Sequence, residues 1–599
     1  MSGDRKSKVN LVEHFSAVVL AVFIRTDLLG ALLHAERDSP DLSLKRKTTL
    51  LVGEVLSLSN QLLPSSWSAK LQTLPELFHS ATSFGADERF LAVATIYQVD
   101  SVNRTMYRST PNALPANRQR LIDDTATGAK TTEPTKVQMS ANMDEVQFRS
   151  LLLETQVLST VNYTKWRWDL IQPIIDGPLT TPRRLDEAMK ATKLVHRLLG
   201  FLRPFKYRFS DVKNTKPNQR YVRAGCSLVR TLLQTQDGAR YLAENKLVPQ
   251  IAECLAQFDR LSGITSSTPL FSPDRLADTL VGGYFAILGV LCSNAKGLQM
   301  MERWRIINMF YHIVELRDRD DLVKALLTSL DYTLDSHPRI ILAKAMISGS
   351  KQIRIVATRI LRKYAAMPMA TYDPPKATTQ SECAAWAIRL LVTQLYDPEI
   401  EVCEVAIKLL EEACNDNESL EYVVKCRPAL DHLGEIGAPL LLRFLSTSVG
   451  YHYLDGLDYI TKEMDDWFLG RNDTYVTLVE ASLARALTDV PDKPPSAFDE
   501  VPLPQEYGIV PPHFYKELTR TAEGCELLRA KGHFEEFTAT IIDYGMEQED
   551  AETILKVKGC LWAVGNVGSM ELGSPFLDDS RVTTRILSLI HISEPTRPY

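Results

Sequence analysis

The sequence has few of the features that assign a biochemistry at sight. No Cys-x-x-Cys pair occurs among its nine cysteines, and there is no GxxxxGKS/T phosphate loop, glycine-rich dinucleotide fingerprint, HExxH or GxSxG. The 11 histidines do not gather with cysteines or carboxylates at metal-ligand spacing. His432 in ALDHLGE and His337 in LDSHPR each stand near an aspartate, and both are read as ordinary helix-end or surface hydrogen bonds. The chain is therefore read as non-enzymatic, with no cofactor and no metal. It is also poor in uncharged apolar runs. The longest lies between Asp278 and Lys296, is short of the ~20 residues that span a bilayer, and is interrupted by Thr279, Ser293 and Asn294. AVVLAVFI (17–24) ends at Arg25, and MSGDRKSKVN does not read as a signal peptide. Nor is there an excess of one charge. With 68 Lys+Arg against 74 Asp+Glu, the net charge of −6 gives no global pull toward nucleic acid or an anionic membrane. Only 28 Gly and 31 Pro in 599 residues exclude a collagen-like or wholly disordered chain.

Helical periodicity is what the sequence does contain. LLVGEVLSLSNQLL (50–63), RSLLLETQVLSTV (149–161), EVCEVAIKLLEEAC (401–414) and LVEASLARAL (478–487) carry apolar residues at three- and four-residue spacing. In the third, Val402, Val405, Ala406, Leu409, Leu410 and Ala413 form one stripe. No convincing set of alternating strands appears. The cysteines sit inside such apolar segments, as Cys254 does in IAECLAQF, and read as small reduced core residues. The run Glu411, Glu412, Asp416 and Glu418 reads as a solvated helix end.

Two segments interrupt the helices. Residues 109–143 are polar, rich in Thr, Asn, Ala and Pro, and read as a disordered linker. Residues 490–512 hold seven prolines and read as an extended connector. Helical blocks are expected at 1–108, 144–489 and 513–586. The final 587–599 begins LSLIHISEPTR, which resembles the translation of a sequencing-library transposase adapter. On that reading the natural chain continues beyond about Ile586.

A weak internal repeat runs through the helical blocks. A polar or Met residue, a glycine three later, and two large apolar residues recur at Thr235/Gly238, Asn294/Gly297, Thr447/Gly450, Thr521/Gly524 and Met570/Gly573. Each follows an apolar helical segment. The pattern predicts a helix end, a tight turn and a new helix packing back, with glycine supplying left-handed geometry or close backbone approach. Such units cannot bury their apolar faces alone and must stack, so an irregular all-α solenoid of armadillo/HEAT type is expected. KGCLWAVGNVGS (558–569) reads as a helix whose small residues let a neighbour cross closely.

Charge is uneven in one place. Residues 183–223 hold twelve Lys/Arg against Asp186, Glu187 and Asp211. Thr181-Pro182 is a good helix start, so TPRRLDEAMKATKLVHRLLGFL predicts one helix with Asp186 and Glu187 near its positive end. Lys190, Lys193 and Arg197 then share an exposed face, with His196 three after Lys193. Most such faces are merely solvated. The sharper reading is a nucleotide or polyphosphate site with Lys190, Lys193, His196 and Arg197 as ligands, because each cation adds charge-assisted hydrogen bonds.

Several long strings resemble the Rictor family, the large scaffold subunits of target-of-rapamycin (TOR) complex 2, in a fungal-type version. They are LLVTQLYDPEIEVCEVAIKLLEEAC (390–414), RPALDHLGEIGAPLLLRFLS (427–446), GYHYLDGLDYITKEMDDWF (450–468), SLDYTLDSHPRIILAKAM (329–346) and VKGCLWAVGNVGS (557–569). AVFIRTDLLGALLH (21–34) and LLVGEVLSLSNQLLP (50–64) look like an earlier part of the same family. The resemblance implies an armadillo/HEAT-like superhelix that catalyses nothing. As partners it implies the TOR kinase and a Sin1-type subunit, with AGC kinases as indirect substrates. It implies a cytoplasmic protein, peripheral at the plasma membrane through the complex, and a fragment of a longer chain. A karyopherin-like peptide adaptor is the alternative. The irregular spacing of Trp166, Trp168, Trp386, Trp467 and Trp562 disfavours it.

Overall fold

In a computed structural model the described residues are 9–38, 41–64, 145–259, 262–369, 379–488, 508–547 and 549–584, with isolated positions between 66 and 97. The expected linker at 109–143, most of the proline-rich 490–512 and the adapter-like 587–599 lie outside them. Among the described residues the fold is all-α, as the periodicity predicts. Among them β pairing is confined to a two-residue ribbon, Val9–Asn10 antiparallel to Ile509–Val510, and one isolated antiparallel bridge between Lys213 and Thr279. The chain divides into two compact units, Met1–Thr132 with Leu442–Tyr599, and Glu133–Leu441.

The continuous unit is a stack. Gln219–Gln234 packs on Trp168–Asp176, Gln236–Glu244 and Gly283–Cys292. Lys351–Ala365 packs on Asp320–Ser329, His337–Ser348, Thr379–Gln394 and Ile400–Ala413. Each helix meets its near neighbours in sequence, as expected of units that bury apolar faces only against the next repeat. Helices with two covered faces are apolar all round: in Gly283–Cys292 nine of ten residues are buried. Ion pairs lace successive helices, with a largely buried Arg354 bidentate to Asp397, and more exposed pairs of Arg362 with Glu412 and Lys351 with Glu399 and Glu401.

The discontinuous unit closes differently. Leu11 N donates to Gly508 O beside the ribbon, Ser482 Oγ donates to Ile509 O, and Tyr475 Oη donates to Pro511 O. Leu11–Arg25 and Asn472–Thr488 touch, and Asn472–Thr488 packs along Ala551–Gly568. There the small-residue reading of 558–569 holds. A Cβ on Gly559 would fall 2.9 Å from Asp473 Oδ1, and Gly568 lies against Leu577. Among the described residues no single helix is long and apolar enough to cross a membrane; Leu11–Arg25 with Leu28–Ala35 passes that test only as a pair bent by 66°.

Three sequence expectations change. The helix over 149–161 is Glu145–Glu154, and the chain then turns through Gln156 in the left-handed region. The helix over 181–202 is broken, because Pro182–Asp186 runs into a π turn, Glu187–Ala191, and a new helix, Leu194–Leu202, starts after Lys193 at φ +56°. The acidic run is not simply solvated, since Glu411 is buried, Glu412 pairs with Arg362, and Asp416 caps the next helix at Ser419 N. All nine cysteines are free thiols and seven are buried. Burial pushes the Cys254 thiol up to about 12 and those of Cys226 and Cys560 up to about 11, which suits inert core residues.

Candidate functional site

The five glycines of the repeat share one stereochemistry. A Cβ added to Gly238, Gly297, Gly450, Gly524 or Gly573 would lie under 3.0 Å from a backbone carbonyl oxygen six residues earlier: Leu232, Leu291, Phe444, Leu518 or Val567. None of the five has a positive φ, so close backbone approach and not left-handed geometry requires glycine. In three cases the threonine three residues earlier is the N-cap, accepting the glycine N–H at 3.0–3.2 Å. Asn294 caps its helix through Lys296 N at 2.9 Å, whereas Met570 offers no such oxygen and Gly573 itself stands at the N-cap.

The same register fixes a second corner that the sequence does not reveal. Eight residues after the glycine the chain is left-handed at Arg305 (φ +55°), Asp458 (+54°), Gly532 (+71°) and Arg581 (+52°), each just before a new helix or helical turn. At the remaining repeat Lys246 keeps φ −73°, and Asn245 Oδ1 accepts from Leu247 N instead. Only one of these residues is glycine, so the glycine offset was the sole signal that could have located them.

The basic segment is partly committed to holding its own fold. Lys190 pairs with Asp186 at 2.6 Å. Glu187 joins Arg149 at 2.8 Å and Arg184 at 3.2 Å; these contacts, Arg149 foremost, hold its carboxyl below the usual range. The Arg197 guanidinium donates to the carbonyls of Val157 (2.6 Å) and Leu158 (2.8 Å), fastening the turn after Glu145–Glu154. Trp166 and Trp168 bond carbonyls of that same stretch and are buried against Phe201, so they line no groove. Lys193 and His196 are exposed. The break at Lys193 removes the straight stripe expected of an unbroken helix. Around His196 the charges are Arg203, Lys206, Lys193 and Arg197, without Lys190. Partial burial first, then those cations, lower its pKa. Arg203 and Lys206 were missed as members of this cluster because they follow the end of the helix.

The geometry thus offers repeat corners and one cationic surface cluster. Among the described residues no group of three or more His, Cys, Asp or Glu side chains could hold a metal.

Comparison with known proteins finds one family along the chain. Four family models match: the N-terminal model of the rapamycin-insensitive companion of mTOR at 1–64, its middle domain at 262–365, its RasGEF_N domain at 382–489, and its domain 5 at 555–596. The RasGEF_N match takes residues from both compact units. The domain 5 match runs into the segment that resembles an adapter. Target of rapamycin complex 2 subunit ste20 of Schizosaccharomyces pombe is 42% identical over 96% of this chain and 43% of that protein. Protein pianissimo A of Dictyostelium discoideum is 32% identical, covering 99% of this chain and 53% of its own length. The human rapamycin-insensitive companion of mTOR is 31% identical, with 98% and 34% covered. The chain therefore spans between a third and about half of the length of these relatives.

Proposed function

The chain belongs to the Rictor family, and on that premise we propose that it is a non-catalytic scaffold segment of TOR complex 2. It holds the TOR kinase and a Sin1-type subunit so that AGC kinases can be phosphorylated. The observation that carries this reading is the match along nearly the whole chain to a protein named as a subunit of that complex. The fold supports it, since stacked helices present extended surfaces and hold their shape through short-range packing. Such a scaffold acts in the cytoplasm and at the plasma membrane as part of its complex. Affinity purification of the full-length protein from its source organism tests the reading. Co-recovery of a TOR kinase and a Sin1-type subunit is expected, and their absence overturns it.

The cluster Lys193, His196 and Arg197 takes a phosphate-bearing ligand, with Lys190 at its edge and Arg203 and Lys206 as further cations. The convergence of Lys193, Arg197, Arg203 and Lys206 around His196 supports this, because a bound anion would relieve the repulsion among these charges. Calorimetry with adenine nucleotides and inositol polyphosphates is the test. Equal binding by the wild type and a Lys193→Ala/Arg197→Ala double variant removes the idea.

A further inference from the structure

The left-handed corner at Trp304-Arg305 differs from the corners of the other four repeats. It joins Ala295–Arg303 to Ile306–Ile313, and the side chains preceding and occupying it are Arg303, Trp304 and Arg305. All three are exposed, Trp304 at 37%. The other corners carry Asn245-Lys246, Leu457-Asp458, Lys531-Gly532 and Ser580-Arg581, with no aromatic residue. Among the described residues neither Arg303 nor Arg305 has a carboxylate partner, whereas Arg275, Arg319, Arg354 and Arg362 of the same unit all do. The nearest acid in sequence, Glu302, faces His337 on the neighbouring helix at 3.8 Å. Beyond His337 that helix exposes Ile340.

We propose that Arg303, Trp304 and Arg305 form a docking point for an acidic peptide segment of another protein, one that places carboxylates on either side of an apolar side chain. Tryptophan and arginine are the side chains that most often dominate interface energies, and arginine pairs with carboxylates in two-point geometry. Two guanidinium groups without a carboxylate partner, one on each side of the tryptophan in sequence, match that ligand in charge and in order along the chain. An anionic bilayer or a nucleic acid fits less well, because this corner carries two cations and not an extended positive surface.

The test uses the full chain and a fluorescein-labelled peptide, Asp-Glu-Asp-Phe-Glu-Asp-Glu, read by fluorescence anisotropy. A peptide with every acid replaced by lysine is the control. Trp304→Ala is one variant. Arg303→Ser/Arg305→Gly is the other, and it keeps the corner foldable because glycine adopts a positive φ without strain. Circular dichroism melts confirm that both fold. Each variant is expected to weaken binding of the acidic peptide about tenfold. Salt should weaken wild-type binding, and the lysine peptide should not bind. Failure of the wild type to bind, or equal binding by the variants, overturns the proposal. So does Trp304-dependent binding of phosphatidylserine vesicles without peptide binding.

Discussion

The two compact units of this chain solve the burial problem in opposite ways. In residues 133–441 the described helices are covered by helices close to them in sequence, and ion pairs run between successive layers. In the unit formed from 1–132 and 442–599, the covering comes from segments hundreds of residues apart, as where Val9–Asn10 pairs with Ile509–Val510. The segment after Gly508 is deeply set in this second unit: His513, Phe514, Tyr515, Glu517 and Leu518 are all buried. Local stacking tolerates loss of one contact, because neighbouring layers keep their own interfaces. A unit closed by a distant segment depends on that segment's fit. The lesson is that repeat stability and closure stability are separable, and substitutions can address each alone.

The largest effect is expected at the buried ion cluster of the discontinuous unit. Glu517 pairs with Arg443 at 3.5 Å and Arg520 at 2.9 Å, and the Arg443 and Glu517 side chains are 2% and 3% exposed. Glu517→Ala leaves Arg443 buried without that charge, at a cost of about 3–5 kcal/mol. Opening Arg354–Asp397 in the continuous unit with Arg354→Ala should cost less, since the Arg354 side chain is 14% exposed and Asp397 keeps the Glu399 N–H as a partner. Urea unfolding followed by hydrogen exchange in each unit separates the two. Equal losses would erase the contrast between closure and stacking.

The repeat glycines come next. Gly524→Ala and Gly238→Ala each drive a methyl group into a carbonyl oxygen of the preceding helix, so both should cost about 3 kcal/mol. In the continuous unit exchange protection should fall only near the altered layer. In the discontinuous unit it should fall throughout, because residues 508–518 lead directly into the Thr521–Gly524 turn. A global loss from Gly238→Ala would show that the stack is as cooperative as the closed unit.

Acid sharpens the comparison further. His513 is buried beside Trp467, Tyr475 and Tyr515, and burial, with Lys516 adding to it, lowers its pKa to about 3. The unfolded chain binds a proton near pH 6.5 that the folded chain refuses, so this contribution is full above that value and is lost as pH falls toward 3. Between pH 7 and pH 5 the loss is about 2 kcal/mol. In the continuous unit Glu187 has a lowered carboxyl pKa, so its contribution fades only within the more acidic carboxylate range. Exchange at pH 5 should therefore loosen the discontinuous unit first, and His513→Leu should flatten that dependence. A pH profile unchanged by the substitution would falsify the assignment.

The same division explains what the residues announced in advance. Helix type, the Thr-x-x-Gly turns and the small-residue crossing at Gly559 are local, and local spacing encodes them. The ribbon, the burial of His513 and Glu517, and the use of Arg197 to fasten carbonyls some 40 residues earlier are pairings across the chain, which periodicity does not encode. The break at Lys193 escaped for a different reason. Residues 187–202 satisfy helical patterning throughout, and the π turn adds a residue to one turn without altering composition. In the candidate anion cluster, Lys193 and His196 are exposed. Lys190 and Arg197 turned out to be engaged by Asp186 and by main chain.

The smallest effect tests whether the left-handed corners are a shared cost. Arg305, Asp458 and Arg581 hold a conformation that disfavours a side chain, whereas Gly532 holds it freely with open space around its Cα. Arg305→Gly in the continuous unit and Asp458→Gly in the discontinuous one should each change stability by no more than about 1 kcal/mol, because relief of native strain is offset by the entropy glycine gives the unfolded chain. Gly532→Ala should instead destabilise by about 1 kcal/mol, from the backbone alone. If the corners are equivalent, the two glycine substitutions will agree in thermal melts despite lying in differently built units. A gain confined to Asp458→Gly would mean that the distant closure, and not the repeat register, imposes the left-handed turn there.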